Sequence, residues 1–224
     1  LRALAVAAVI LFHFHPSSIP SGYLGVDVFF VISGYVITGS LLHRPVCQSG
    51  MFLLGFYNRR VMRLAPALVS YVLLTSLLLC LFDPTPLSSL FTGFSALFGV
   101  SNLFLWRDST DYFAESSLLN PFLNTWSLGV EEQFYFVFPV LFLFFFRGSR
   151  FASHRSNDLF LAALSLLSLL SLLLFILLYG SDSVAAYFLM PARFWEIAAG
   201  SITVLLVLRL SLIHISEPTR RYAI

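Results

Sequence analysis

The sequence predicts an all-α, polytopic transmembrane helical bundle, and three observations carry that prediction. Charged residues make up only 11% of the chain and hydrophobic residues 58%, whereas a soluble domain is about a quarter charged. Mean hydropathy is +0.89, so there is too little polar side chain to cover a water-facing surface. The apolar residues are also gathered into long runs, and the 25 Phe and 3 Trp suit a densely packed bundle in lipid. The first run is followed by further runs with no small-residue cleavage pattern between them, which argues against a secretory signal peptide. With Leu1 in place of an initiating Met and no leading basic segment, the chain reads as a truncated front part lacking its first few residues.

A spanning helix needs about 20 mostly apolar residues. By that measure the runs fall at 3–15, 24–42, 64–82, 88–106, 126–146, 159–179 and 184–208, giving six to seven hydrophobic segments. The first is short, and the Leu/Ser-rich sixth reads as a plain span. Basic residues favour the cytoplasmic side. Arg59, Arg60 and Arg63 precede the third run, and Arg147, Arg150, His154 and Arg155 follow the fifth. If both clusters are cytoplasmic, the fourth run cannot cross once. It contains Gly93, Gly99, Ser101 and Asn102, and irregular backbone is tolerated at membrane depth where protein or water covers it. A re-entrant or interfacial segment is therefore expected; the alternative is a true span with one basic cluster against the rule.

Charged groups inside apolar helices are costly and mark function by default. Arg2 and His13 lie eleven residues apart in the first run. That spacing puts them on nearly one helical face, about 16 Å apart along the axis. Spacing alone leaves two readings open: a shared polar track, or a cytoplasmic flank and a helix-end histidine near Pro16. Histidine titrates near neutrality and suits proton removal from a hydroxyl, the more so beside a carboxylate. Asp27, in Gly25-Val-Asp-Val-Phe-Phe-Val-Ile-Ser-Gly34, is one such carboxylate, with helix capping or packing as the other reading. Glu131 and Glu132, in Trp126-Ser-Leu-Gly-Val-Glu-Glu-Gln-Phe-Tyr135, are two more. Adjacent residues point about 100° apart, so at most one of them faces a given partner. The pair reads as functional rather than as an interfacial helix start, and Trp126 and Ser127 as structural or polar-track residues.

Arg59 and Arg63 share a helical face four residues apart. The positive-inside rule accounts for them; an anion site, where guanidinium forks match phosphate, is the sharper reading. Cys47 and Cys80 have no metal-ligand or disulfide-framework spacing. Glycine-rich phosphate loops, G-x-S-x-G elbows and H-E-x-x-H helices are absent. No metal and no nucleic-acid partner is expected.

Several of these segments resemble the acyltransferase-3 family of membrane O-acyltransferases, which includes O-antigen and peptidoglycan O-acetylases. Leu1-Arg-Ala-Leu-Ala-Val6 with His13 is similar to the family's opening Arg-x10-His run. Gly25 to Gly34 matches its second-helix signature, and Phe56-Tyr-Asn-Arg-Arg-Val-Met-Arg-Leu-Ala-Pro66 its arginine-rich loop. Tyr112-Phe113 with Asn124-Thr-Trp-Ser-Leu-Gly-Val-Glu-Glu-Gln-Phe-Tyr135, and then Pro191-Ala-Arg-Phe-Trp-Glu-Ile-Ala-Ala-Gly200, follow in family order. Asn124 departs from the His that members often carry there.

The resemblance implies roughly ten spanning helices in a complete member, multi-pass in the bacterial inner membrane, often with an extracytoplasmic SGNH-type domain. It implies transfer of an acyl group, usually acetyl, from cytoplasmic acyl-CoA (acetyl-CoA) to a hydroxyl of an extracytoplasmic cell-envelope glycan or lipid-linked acceptor. It also implies roles. His13 would deprotonate the acceptor or relay the acyl group, Glu131 or Glu132 would orient the imidazole, and Arg59, Arg60 and Arg63, with Arg2, would serve donor binding. A proton- or substrate-translocating transporter is the rival reading, since intramembrane His, Asp and Glu also mark such pathways; a non-catalytic membrane subunit is another. The partial transmembrane domain is expected over 1–208. The segment from Leu210 to Arg220 reads as translated sequencing adapter, so 209–224 is expected to be a non-native tail and this fragment inactive.

Overall fold

The computed structural model describes residues 2–15, 20–42, 49–108, 120–146 and 154–216. The helices are α1 (Arg2–Phe14), α2 (Gly25–Leu42), α3 (Ser49–Phe82), α4 (Leu87–Ala96), α5 (Ser101–Asp108), α6 (Thr125–Phe146), α7 (His154–Ser181), α8 (Ser183–Phe188) and α9 (Met190–Ser216). A short 3-10 turn, Gly22–Leu24, leads into α2. Among the described residues, five stretches are long and apolar enough to cross a membrane: Gly22–Leu42, Ser49–Phe82, Thr125–Phe146, Ser156–Ser181 and Ser183–Arg209. The helical bundle expected from composition is therefore the observed architecture.

Three boundaries differ from the apolar runs, each for a physical reason. The arginine-rich segment is not a loop before the third span but the first half of one 34-residue helix, α3. Arg, Met and Leu are good helix formers, and only Pro66 interrupts the backbone donors. The 88–106 run breaks into α4 and α5, neither of them long enough to cross. The 184–208 run breaks at Leu189, which is extended, leaving Pro191 in the first turn of α9, where a missing N–H costs nothing. Tyr112, Phe113, Arg147, Arg150 and the tail from 217 onward lie outside the described residues.

The chain divides into two compact units, each described by itself. Unit 1 comprises residues 1–45, 149–170 and 195–224. The 3-10 turn and the start of α2 lie against α1: a Cβ on Gly22 would stand 2.6 Å from Phe12 Cβ. The centre of the unit is a crossing of α2 with α9. A Cβ on Gly34 would run into the Ile197 carbonyl, and one on Gly200 into the Val31 carbonyl. The two backbones can approach this closely only because both positions are glycine, as in small-residue crossings between membrane helices. Ser201 Oγ reaches across to donate to the Gly34 carbonyl at 3.3 Å, and Phe30, Ile37, Leu41 and Ile197 close over it, fully buried.

Unit 2 comprises residues 46–148 and 171–194. Its axis is α6, which is far more buried than α3. Phe134, Phe138, Phe142 and Phe146 form a fully buried stripe at a spacing of four residues, one face of a helix. The α4–α5 segment is stitched to the start of α6 by polar bonds. Ser101 Oγ donates to the Thr125 carbonyl at 2.9 Å, and Asn120 Nδ2 donates to Thr92 Oγ1 at 3.0 Å.

Candidate functional site

Unit 2 carries a partly open cavity of about 740 Å³, within the size range of small-molecule sites. One wall is a face of α3: Tyr57, Arg60, Leu64 and Leu68 line it, at the three- and four-residue steps that keep side chains on one side of a helix. The facing wall is α6, through Glu132, Gln133 and Phe136, and the α4–α5 break supplies Phe98 and Gly99. Tyr57 ties the walls together, its hydroxyl donating to the Phe136 carbonyl at 2.9 Å. The Arg60 guanidinium sits 4.4 Å from the centroid of the Tyr135 ring and 5.7 Å from that of Phe56, so cation–π attraction fixes it at the cavity edge.

The break that carries Gly99 is specific. Gly99 is left-handed, with φ of 67°. Its N–H donates to the Ala96 carbonyl at 3.2 Å, and the Val100 N–H to the Ser95 carbonyl at 3.1 Å. This is the paired closure of a Schellman motif, which favours glycine at the left-handed position. A second reason for glycine is Glu132, whose side chain lies over Gly99 so closely that a Cβ there would collide with its carboxylate. Beside it, Gln133 Nε2 donates to the Gly99 carbonyl at 3.0 Å and to Asn102 Oδ1 at 2.7 Å. Asn102 Nδ2 donates in turn to the Phe188 carbonyl at 2.9 Å and to Gln133 Oε1 at 3.4 Å. A cation, a carboxylate and a fully engaged amide pair thus meet at an otherwise apolar cavity.

The residues singled out in the sequence take different places. Glu132 and Arg60 line the cavity together. Glu131 does not line it and is 5% exposed, buried in the bundle. Arg59 and Arg63 are exposed and do not line the cavity. Trp126 is buried, its ring 4.3 Å from that of Tyr187 and 5.9 Å from the Arg193 guanidinium, which also lies 5.3 Å from Phe175. Ser127 Oγ donates to the Asn124 carbonyl at 3.3 Å. Asn124, the departure from the family pattern, has its side-chain oxygen 3.2 Å from the Tyr71 hydroxyl.

His13 and Asp27 belong to unit 1. His13, near the end of α1, is exposed, and its Nδ1 lies 2.8 Å from the Val9 carbonyl. A carbonyl only accepts, so Nδ1 carries the proton, and Nε2 of the neutral ring is the nitrogen left to take one. Asp27 stands half-buried in the first turn of α2. Arg2 opens α1; its side chain lies outside what the structure describes. Sequence reasoning missed Asn102, Gln133, Tyr135 and Gly99 as site residues. Gln133 and Tyr135 were within reach, as members of the Glu-Glu-Gln-Phe-Tyr stretch, whereas an amide such as Asn102 carries no charge signal. Among the described residues, no group of three or more His, Cys, Asp or Glu is placed to hold a metal ion.

Several long apolar helices define a polytopic helical membrane protein, and the cavity with its few charged and amide groups is its candidate site. Comparison with known proteins gives the particular family. The acyltransferase-3 model, described as an acyltransferase domain, matches residues 1–202, and the chain belongs to that family. It is 38% identical over 148 residues to the peptidoglycan O-acetyltransferase OatA of Listeria monocytogenes, covering 66% of this chain and 24% of the relative. It is 37% identical over 145 residues to the O-acetyltransferase OatA of Staphylococcus aureus, covering 64% and 24%. A Bacillus subtilis relative, YrhL, is 34% identical over 203 residues, 89% of this chain and 31% of the relative. The chain therefore spans about a quarter to a third of the length of these relatives. No solved structure is a significant match.

Proposed function

We propose that this chain is the membrane domain of an O-acetyltransferase that moves acetyl from acetyl-CoA on the cytoplasmic side to a hydroxyl of peptidoglycan or a related envelope glycan, in a bacterial inner membrane. The observation that carries this reading is the family match over 1–202, supported by two relatives named as O-acetyltransferases. In the reaction the acceptor oxygen attacks the thioester carbonyl, an O–C bond forms and the C–S bond breaks. His13 takes the hydroxyl proton on Nε2 and returns it to the departing CoA thiolate. Arg60 contacts donor phosphate at the cavity edge, with Arg59 and Arg63 adding positive charge on α3, and Arg2 belongs to the same donor-binding set. Glu132, the carboxylate on the cavity wall, is the acid assigned to catalysis, and the buried Glu131 supports α6.

The test is reconstitution of a complete family member carrying these residues in phospholipid vesicles, with acetyl-CoA and a soluble muropeptide acceptor. CoA thiol release that depends on acceptor, and an ester on the glycan removed by mild base, are the expected results. His13→Ala should lower turnover by about 10²- to 10⁴-fold, and Arg60→Ala should raise the KM for acetyl-CoA. Undiminished acetylation by His13→Ala would remove the histidine from the mechanism. Movement of glycan across the vesicle with no new ester would replace acyl transfer by translocation.

A further inference from the structure

We propose that Gln133 is a positioning residue for Glu132, acting as a pair with Asn102 through the break between α4 and α5. Nothing in the charge pattern of the sequence asks for a break at Gly99, and the geometry supplies its reason. The Glu132 side chain lies across Gly99, so its direction is set by where that backbone runs relative to α6. Gln133, the next residue on α6, holds that relation: its one amide nitrogen bonds both to the Gly99 carbonyl and to Asn102 on the far side of the break. Asn102 is fully buried, and its own amide nitrogen is divided between Gln133 and the carbonyl of Phe188 at the end of α8.

Both N–H groups of each amide therefore have an acceptor. The Phe188 carbonyl, at a helix end where acceptors are otherwise left over, is satisfied by the same pair. A buried network with every donor engaged fixes one arrangement of the elements it joins. Gly129 extends the fit: a Cβ there would stand 2.7 Å from Asn102 Oδ1, so α6 itself is cut back to admit the Asn102 amide. These elements meet beside Glu132, a carboxylate that lines the cavity.

The inference deepens the proposed function in its kinetic arm only; a second arm is independent of any reaction. The probe for that arm is dicyclohexylcarbodiimide, which enters bilayers and adds covalently to carboxyl groups, with adducts at Glu132 quantified by peptide mass spectrometry. Glu196, a buried carboxyl in unit 1, serves as the internal reference. Gln133→Ala and Asn102→Ala should each change the Glu132 labelling rate several-fold with Glu196 unaffected. The double variant should add little more, because the two side chains act as one unit. In the vesicle assay the same variants should lose about 10- to 100-fold in kcat, as small misplacements of a reacting group do, at nearly constant KM for acetyl-CoA. Gln133→Glu, equal in size but without the donor, should behave like Gln133→Ala. Glu132 labelling that stays at the wild-type rate while kcat falls, or a fully active Gln133→Glu, would overturn the assignment. If the wild-type complete protein transfers no acetyl, the proposed function fails, and the labelling arm still decides the positioning role.

Discussion

Glu131 and Glu132 are adjacent letters with different fates, and that difference marks how far the sequence could go at the scale of single residues. The angle between neighbours on a helix dictates that only one of them faces the cavity, but choosing between them needs the partner walls, which lie about 30 and 70 residues away in the chain. The arginines behave alike: three were legible as a cluster, and only the packing of Tyr135 and Phe56 against Arg60 shows which one edges the cavity. Gly99 was visible as an oddity in an apolar run, without its cause. Its two constraints, a left-handed backbone and the overlying Glu132, predict that Gly99→Ala destabilises the protein by about 1–3 kcal/mol. Reversible unfolding in mixed detergent micelles measures this. The same substitution at Gly39, where a Cβ would meet nothing within 4 Å, should be neutral or stabilise by up to about 1 kcal/mol. Equal effects at the two glycines would sever the link between the break and Glu132.

At the scale of elements, apolar run length located the long helices and failed at the two places where a run hides a break. Hydropathy is blind to backbone direction. Neither the Schellman closure at Gly99 nor the extended Leu189 changes the apolar count, although Gly99 and Pro191 are the letters that permit them. Helix crossings are also hard to read, because Gly34 and Gly200 belong to motifs 166 residues apart in the sequence and only the fold brings them together. Their reciprocal contact predicts that Gly34→Leu or Gly200→Leu forces α2 and α9 apart. The expected loss is about 1–3 kcal/mol or more, seen as a lower thermal midpoint in detergent; a midpoint within error of wild type would mean that the crossing does not hold unit 1 together. A smaller effect belongs to α8, where Asp182 caps the helix by accepting from the Ala185 N–H at 2.9 Å. Asp182→Ala should cost about 1 kcal/mol and Asp182→Asn much less, by the same measurement.

For the whole molecule the surface is the evidence that composition had promised. Leu73, Leu77 and Leu81 are 66%, 59% and 68% exposed along α3, a stripe that water would penalise at roughly 25 cal/mol per Å² and lipid does not. At 1.5 Å per residue the 34 residues of α3 extend about 51 Å, well beyond the roughly 30 Å of a hydrocarbon core. Tilt within the usual range cannot absorb that excess, so one end of α3 lies outside the core. Arg59, Arg60 and Arg63 make the first half the end that is cheapest to leave there, and the positive-inside rule predicts the cytoplasmic side for it. The other end of α3 must then emerge on the opposite side, near Asp83. With Cys47 and Cys80 replaced by Ser, Thr85→Cys should react with a membrane-impermeant maleimide added to intact cells. Asn58→Cys, on the exposed arginine-bearing half, should react only after the membrane is opened. The reverse pattern would invert the molecule and place the Arg60 edge of the cavity on the wrong side for a cytoplasmic acetyl-CoA donor.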